Sequence, residues 1–214
     1  MSIYARQKRY FAQAYETGEH GWPTTEPSDI VGKFFKNIKS RVPRARVLDL
    51  GCGEGRHTLL AARHGFHAIG LDYQPLAIER AMRFAKDEGI TGGFSFLIGD
   101  VFHPPFQEKN FDVLIDFGCL HHIKKNDFPK YLKSILGLLR PHGYYLLSCF
   151  STQFKHHAGE RRSRNWLVHR GHYDRFFRKQ DFKILFGRNF NRLDYHLERD
   201  GLYVFHQVLM QRTG

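Results

Sequence analysis

The chain is poor in the features that would place it in a secreted, disulfide-bonded or membrane-bound class. It has only three cysteines, Cys52, Cys119 and Cys149, odd in number and far apart. That spacing excludes a disulfide framework and leads us to expect a reducing, cytoplasmic setting. There is no Cys-x-x-Cys pair, so no zinc site, and no metal at all, is expected. No apolar run reaches the roughly 20 residues of a membrane span, and Met1 to Arg9 leads into no signal region. Acid is scarce relative to base, and the net charge is +12. Such an excess fits nucleic acid, an anionic surface, an acidic small substrate or solubility alone. Internal repeats, low-complexity tracts and a second domain are also absent, and 214 residues suffice for one substantial core.

What is present centres on Val47-Leu48-Asp49-Leu50-Gly51-Cys52-Gly53-Glu54-Gly55-Arg56. A short apolar run, a glycine turn and a helix from His57 to Arg63 let a ligand lie against bare backbone. The spacing is G-x-G-x-G, one residue short of the dinucleotide pattern, and Asp49 would repel a pyrophosphate. A cationic amine suits that carboxylate, which points to S-adenosylmethionine. Three further strands end in carboxylates: Ala68 to Asp72, Phe94 to Asp100 and Phe111 to Asp116. Asp72 is placed to accept ribose hydroxyls and Asp100 to meet the adenine amino group.

These residues resemble the class I S-adenosylmethionine-dependent methyltransferases. VLDLGCGEGR matches the glycine motif, AIGLDY the ribose acid and IGDVF the adenine acid. RPHGYYLLSCF is similar to the family's fifth-strand region, with His142 where glycine is common. YETGEHGWPTTEPSDIV, DFGCLH and LSCFS look like the thiopurine and tellurite-resistance branch, here with the order Trp22-Pro23. The resemblance implies an α/β, Rossmann-like fold: a mostly parallel seven-stranded sheet, a C-terminal antiparallel hairpin, and helices on both faces. It implies cofactor contacts at Asp49, Gly51, Cys52, Gly53, Gly55, Arg56, Asp72, Tyr73, Asp100, Val101, Asp116 and Phe117. The product would be S-adenosylhomocysteine.

The rest of the chain reads as one domain, 1–214. Residues 1–40 give an amphipathic helix over 3–17, with Tyr4, Tyr10, Phe11 and Tyr15 buried. An extended loop follows, with Trp22 as an acceptor wall or a plug of the domain's edge, then a helix capped by Ser28 or its neighbour. Residues 45–150 form the cofactor core. Within it Pro75 to Lys86 is a helix packing through Leu76, Ile78, Ala81, Met82 and Ala85. Phe102 to Phe106 is a structural turn. Asp127 caps a helix that Pro141 stops, and Gly143 turns into a strand over Tyr144 to Phe150. Residues 151–180 are basic and aromatic without apolar periodicity, and read as an insertion over the site or as a solvated surface. Arg161, Trp166 and Tyr173 are its candidate acceptor contacts, joined by Cys119 and His122. Residues 181–214 give a short helix and strands over Phe190 to Leu197 and Gly201 to Met210. His121, on the loop after the fourth strand and aligned with a histidine of the related branch, is the candidate base. His156-His157 lacks a third metal ligand at helical spacing.

Three functions follow. The preferred one is methyl transfer to a thiol, chalcogen, amine or hydroxyl of a compact acceptor, aromatic or anionic. The second is an RNA methyltransferase gripping phosphates with the basic insertion. The third is a regulatory protein that binds the cofactor without catalysis.

Overall fold

Alternation of buried side chains along the central strands shows why the sheet is covered on both faces. In strand β1 (Arg46–Leu50), Val47 turns to one face, and Leu48 and Leu50 to the other. In β4 (Phe111–Phe117), Val113 and Ile115 share the face of Val47, and Leu114 takes the opposite one. A period of two with apolar residues on both sides is the mark of a strand buried between helices. The computed structural model describes all residues except 23–24, 107–108 and 163, so Pro23 of the Trp-Pro pair lies outside the described residues.

The order is α1 (Ile3–Thr17), α2 (Asp29–Ile38), β1, α3 (Arg56–Arg63), β2 (His67–Asp72), α4 (Pro75–Asp87), β3 (Phe94–Ile98) and β4. Then come α5 (Phe128–Leu138), β5 (Leu139–Phe150), β6 (Trp166–His169), β7 (His172–Arg175), α6 (Asp181–Phe186), β8 (Phe190–Asp200) and β9 (Tyr203–Arg212). The main sheet runs β3-β2-β1-β4-β5-β9-β8. Its first five strands are parallel, and β9 and β8 close it antiparallel. The chain therefore has the expected Rossmann-like fold with its closing hairpin. The strand order reverses between β1 and β4, where α/β sheets open a crevice at their carboxyl ends.

One face packs Tyr131, Ile135 and Leu138 of α5 and Phe182 and Phe186 of α6 on Leu48, Leu114 and Tyr145. The other packs Val31, Phe34, Phe35 and Ile38 of α2 on Val47, Ala68 and Val113. Each fully buried side chain of this kind contributes about 1.5–3 kcal/mol over an exposed one.

Several local expectations need correction. Helix α4 turns Ala77, Ala81 and Ala85 inward, and Met82 is 52 % exposed. Small residues at i, i+4 and i+8 let this helix lie close to the glycine loop, where long side chains would not fit. Of the four α1 aromatics, only Tyr15 is fully buried, and the polar Gln7 is buried with it. Ser28 and Asp127 stand at helix starts without capping through their side chains. The Ser28 amide donates to His57 Nε2 at 3.2 Å, and Asp127 accepts from the Tyr4 hydroxyl at 2.8 Å.

Helix α5 ends at Leu138, before Pro141, and β5 begins at once. Its register jumps from Phe111–Leu139 to Val113–Tyr144, so the Pro-His-Gly segment forms an irregularity in the strand. His142 has φ +61°, the left-handed conformation that glycine takes without penalty. The closing hairpin is longer than expected and turns at Gly201 and Leu202. The basic insertion contains a two-stranded ribbon, β6–β7, with all four β7 residues buried. Its sequence shows no alternation because β7 is covered on both faces by polar and aromatic side chains.

Candidate active site

The carboxyl ends of β1, β2 and β4 are joined by the glycine loop. Gly51, Gly53 and Gly55 have φ of +65°, +54° and +83°, a backbone path that other residues rarely follow. Side-chain space is also absent: a Cβ on Gly55 would stand 2.5 Å from the Phe96 ring. The loop is tied to β2, with the amides of Gly51 and Cys52 donating to the Leu71 carbonyl at 2.8 and 3.1 Å. The Gly53 amide donates to Asp72 Oδ2 at 3.0 Å, and the Gln74 amide to Asp72 Oδ1 at 2.9 Å. Burial pushes the Asp72 carboxyl above its usual range, against those amide donors. A carboxylate has about four acceptor sites, so Asp72 keeps capacity for hydroxyl donors.

Asp49 lies under the loop, 2 % exposed, and accepts from the Thr58 amide at 3.1 Å and hydroxyl at 2.8 Å. Burial pushes its carboxyl up to about 7, against the Thr58 contacts and Arg56. Arg56 opens α3 and donates to the Glu26 carbonyl at 2.7 Å. Cys52 is buried, and burial raises its thiol well above the usual value. Asp100 stands at the sheet edge with an exposed carboxylate, Oδ1 accepting from the Phe102 amide at 2.8 Å. Val101 is buried behind it. Tyr73 follows Asp72 and meets Phe11 edge to face at 6.4 Å.

Asp116 departs from expectation. Its carboxylate is fully buried, and its oxygens take four donors: the Tyr131 hydroxyl, the Tyr145 hydroxyl at 3.2 Å, and the amides of Cys119 and Leu120 at 2.8 and 3.2 Å. This side chain braces the turn after β4 from inside the core and does not face a ligand. Phe117 packs edge to face on His57 at 4.6 Å.

His121, the expected base, is also turned inward. It is 3 % exposed and stacks on Phe150 with ring centroids 3.8 Å apart. Burial holds its imidazole well below the ordinary histidine range, and Nδ1 has no partner. Its neighbour His122 points the other way, toward α1, and meets Phe11 edge to face at 5.0 Å. Cys119 is half-buried beside Gly51.

Helix α1 and the ribbon close over this end of the sheet. Tyr15 reaches the glycine loop, its hydroxyl 3.1 Å from where a Gly53 Cβ would be. Trp22 stacks on His20 at 4.4 Å and meets Phe11 and Tyr15 at 5.6 and 5.7 Å. Gln7, 4 % exposed, links three segments. Its amide donates to the His122 carbonyl at 3.3 Å, and its oxygen accepts from the Tyr173 amide at 3.2 Å. Tyr10 stacks on His172 at 4.0 Å.

Of the candidate acceptor contacts in the insertion, Tyr173 is buried in this seam. Arg161 is exposed, and Trp166, 39 % exposed, stacks on the outer side of Tyr173 at 5.6 Å. Gln7, His172 and Asp174 were not legible as site residues in the sequence, and Tyr10 was legible there only as a buried helix position. The available signal was Asp174, an isolated acid in a basic, aromatic stretch.

Residues 42–183 match the family model described as "Methyltransferase domain". The EEF1A lysine methyltransferase 2 of Danio rerio is 31 % identical over 111 residues, covering 49 % of this chain and 47 % of that protein. Norajmaline N-methyltransferase of Rauvolfia serpentina is 28 % identical over 111 residues, 50 % of this chain and 37 % of that protein. The chain thus spans about half or less of these curated relatives. Among solved structures, the 1,6-didemethyltoxoflavin-N1-methyltransferase of Burkholderia thailandensis, with 1,6-didemethyltoxoflavin and S-adenosylhomocysteine bound, superposes with a TM-score of 0.76 at 23 % identity. That match covers 98 % of this chain and 88 % of the other, and it shows a shared fold.

Proposed function

The chain belongs to the methyltransferase domain family, whose cofactor is S-adenosylmethionine, and from that premise we propose that it methylates a compact small-molecule acceptor. The acceptor atom is a nitrogen, oxygen, sulfur or chalcogen lone-pair donor. The observation that carries this reading is the group of rings that Phe11 makes with Tyr10, Trp22, Tyr73 and His122, joined through Trp22 to Tyr15 at the glycine loop. Rings packed mostly edge to face at the carboxyl end of the sheet suit a flat, small acceptor better than an extended polymer.

The bound cofactor supplies an electrophilic methyl on a sulfonium, open to direct in-line displacement by the acceptor's lone pair. The chain's own work is positioning and exclusion of water, and orientation is worth roughly 7–11 kcal/mol in favourable cases. The glycine loop offers backbone that no Cβ obstructs. Asp72 would hold the ribose hydroxyls, Asp100 the adenine amino group, and Asp49 the field that favours a cationic amine. Tyr15, Trp22 and Phe11 shield the crevice from water. His121 takes no part in proton transfer, because Phe150 covers it.

The test is product formation. Purified chain with radiolabelled S-adenosylmethionine is offered small heteroaromatic, thiol and amine acceptors, total RNA and a lysine-rich protein. Label on small acceptors supports the reading. Label on RNA or on protein lysine alone overturns it in favour of a polymer acceptor, and cofactor uptake without label on any acceptor favours the regulatory alternative.

A further inference from the structure

We propose that His122, His172 and Asp174 form a binding site for one divalent transition-metal ion, held by two imidazoles and one carboxylate at the acceptor side of the crevice. One nitrogen from each ring and one oxygen of Asp174 lie within 4.8 Å of one another. His122 Nδ1 is 3.1 Å from Asp174 Oδ1, and His172 Nε2 is 3.1 Å from Oδ2. The strand explains half of this convergence. His172 and Asp174 are two residues apart in β7, so they project from one face. His122 is brought to that face by the turn after β4, which Asp116 braces.

Charge supports the same reading. Asp174 is fully buried, and among the described residues its ion-pairing partners are His122, His156 and His172, with no lysine or arginine. A buried carboxylate is costly unless a cation accompanies it. Hydrogen bonding leaves part of the cluster unused. Asp174 Oδ1 forms no hydrogen bond despite its nearness to His122. Fully satisfied acid–imidazole clusters do not leave such atoms orphaned.

Groups behind the three ligands hold them in place, as in established metal sites. His156 Nε2 contacts Asp174 Oδ2 at 2.9 Å and Tyr10 stacks on His172, whereas the Tyr173 carbonyl, 3.1 Å from His122 Nδ1, accepts from that nitrogen and is the contact an ion must displace if it binds there. Two imidazoles and a carboxylate suit Zn²⁺ or another first-row ion, and three protein ligands leave a position open. That position would take an anionic oxygen, sulfur or nitrogen of the acceptor. This last clause rests on the methyl-transfer reading; ion binding itself does not.

The experiment uses the full chain, stripped with a chelator and then titrated with Zn²⁺ against a chromogenic competitor, and with Co²⁺ for its visible ligand-field bands. The expected result is one ion per chain with Co²⁺ bands lacking thiolate charge transfer. His172→Asn should weaken uptake more than about 100-fold, beyond the 10–100-fold of an outer-sphere change such as His156→Ala. His196→Ala, at an exposed position, should leave it unchanged. Calorimetry with S-adenosylmethionine serves as the folding control for each variant, and His122→Asn replaces any that fails it. Stripped wild-type chain that binds S-adenosylmethionine but takes up neither ion overturns the site, as does undiminished uptake by folded His172→Asn or His122→Asn. Zn²⁺ uptake without S-adenosylmethionine binding would preserve the metal site and overturn the cofactor reading instead.

Discussion

The glycine loop and the histidine-lined seam opposite it are built by different means. The loop is a local object: Gly51, Gly53 and Gly55 set its path, and most of its hydrogen bonds run to the next strand. The seam is assembled from α1, the turn after β4 and the β6–β7 ribbon, with the Tyr173–Gln7 contact spanning 166 residues. A loop made of backbone offers a generic cradle, whereas a seam made of side chains from distant segments can change its chemistry without altering the fold. Cofactor binding should therefore be insensitive to the seam, and acceptor choice should follow it.

The sharpest disruption is expected where the two regions meet. Asp116→Ala strands two tyrosine hydroxyls and two amides in the core and should cost about 3–5 kcal/mol. Urea unfolding would show this as a lowered midpoint at unchanged slope. A loss under 1 kcal/mol would mean that Asp116 braces neither region.

Next is Gly55→Ala on the loop side. Left-handed backbone strain and a clash with Phe96 together should cost about 2–4 kcal/mol and eliminate measurable S-adenosylmethionine uptake by calorimetry. On the seam side, Gln7→Ala should cost about 1–3 kcal/mol. It should raise the acceptor KM and leave the S-adenosylmethionine Kd unchanged. Equal effects on both constants would erase the distinction between the regions.

A smaller effect is expected from pH. With Asp49 pushed up to about 7 in the folded chain, binding a cationic amine favours its deprotonated form. S-adenosylmethionine affinity should fall about tenfold between pH 8 and pH 6, a difference of about 1.4 kcal/mol, and Asp49→Asn should flatten the profile. Stability of the free chain runs the other way. A folded pKa above the unfolded one means the folded state keeps a proton that the unfolded state releases, so this contribution is lost as pH rises from about 4 through 7. The smallest effects belong to exposed Arg161→Ala and Trp166→Ala, each within about 0.5 kcal/mol of wild type in thermal unfolding. Strong, salt-dependent RNA affinity that disappears in Arg161→Ala would show that the insertion's exposed basic residues read phosphates after all.

Sequence by itself determined the sheet, its alternation with helices and the glycine loop. Each rests on local periodicity or on glycine, the residue that readily adopts left-handed backbone. The run from Val47 to Gly55 needs no distant partner to be recognised. Only the tertiary structure decided which of two adjacent histidines faces the crevice, that Asp116 turns into the core, and that His122 meets Asp174. Consecutive residues at a turn point in directions fixed by what packs against them, here Phe150 over His121 and Phe11 against His122. Spacing along the chain carries no record of such contacts, because burial and pairing arise only once distant segments close on one another.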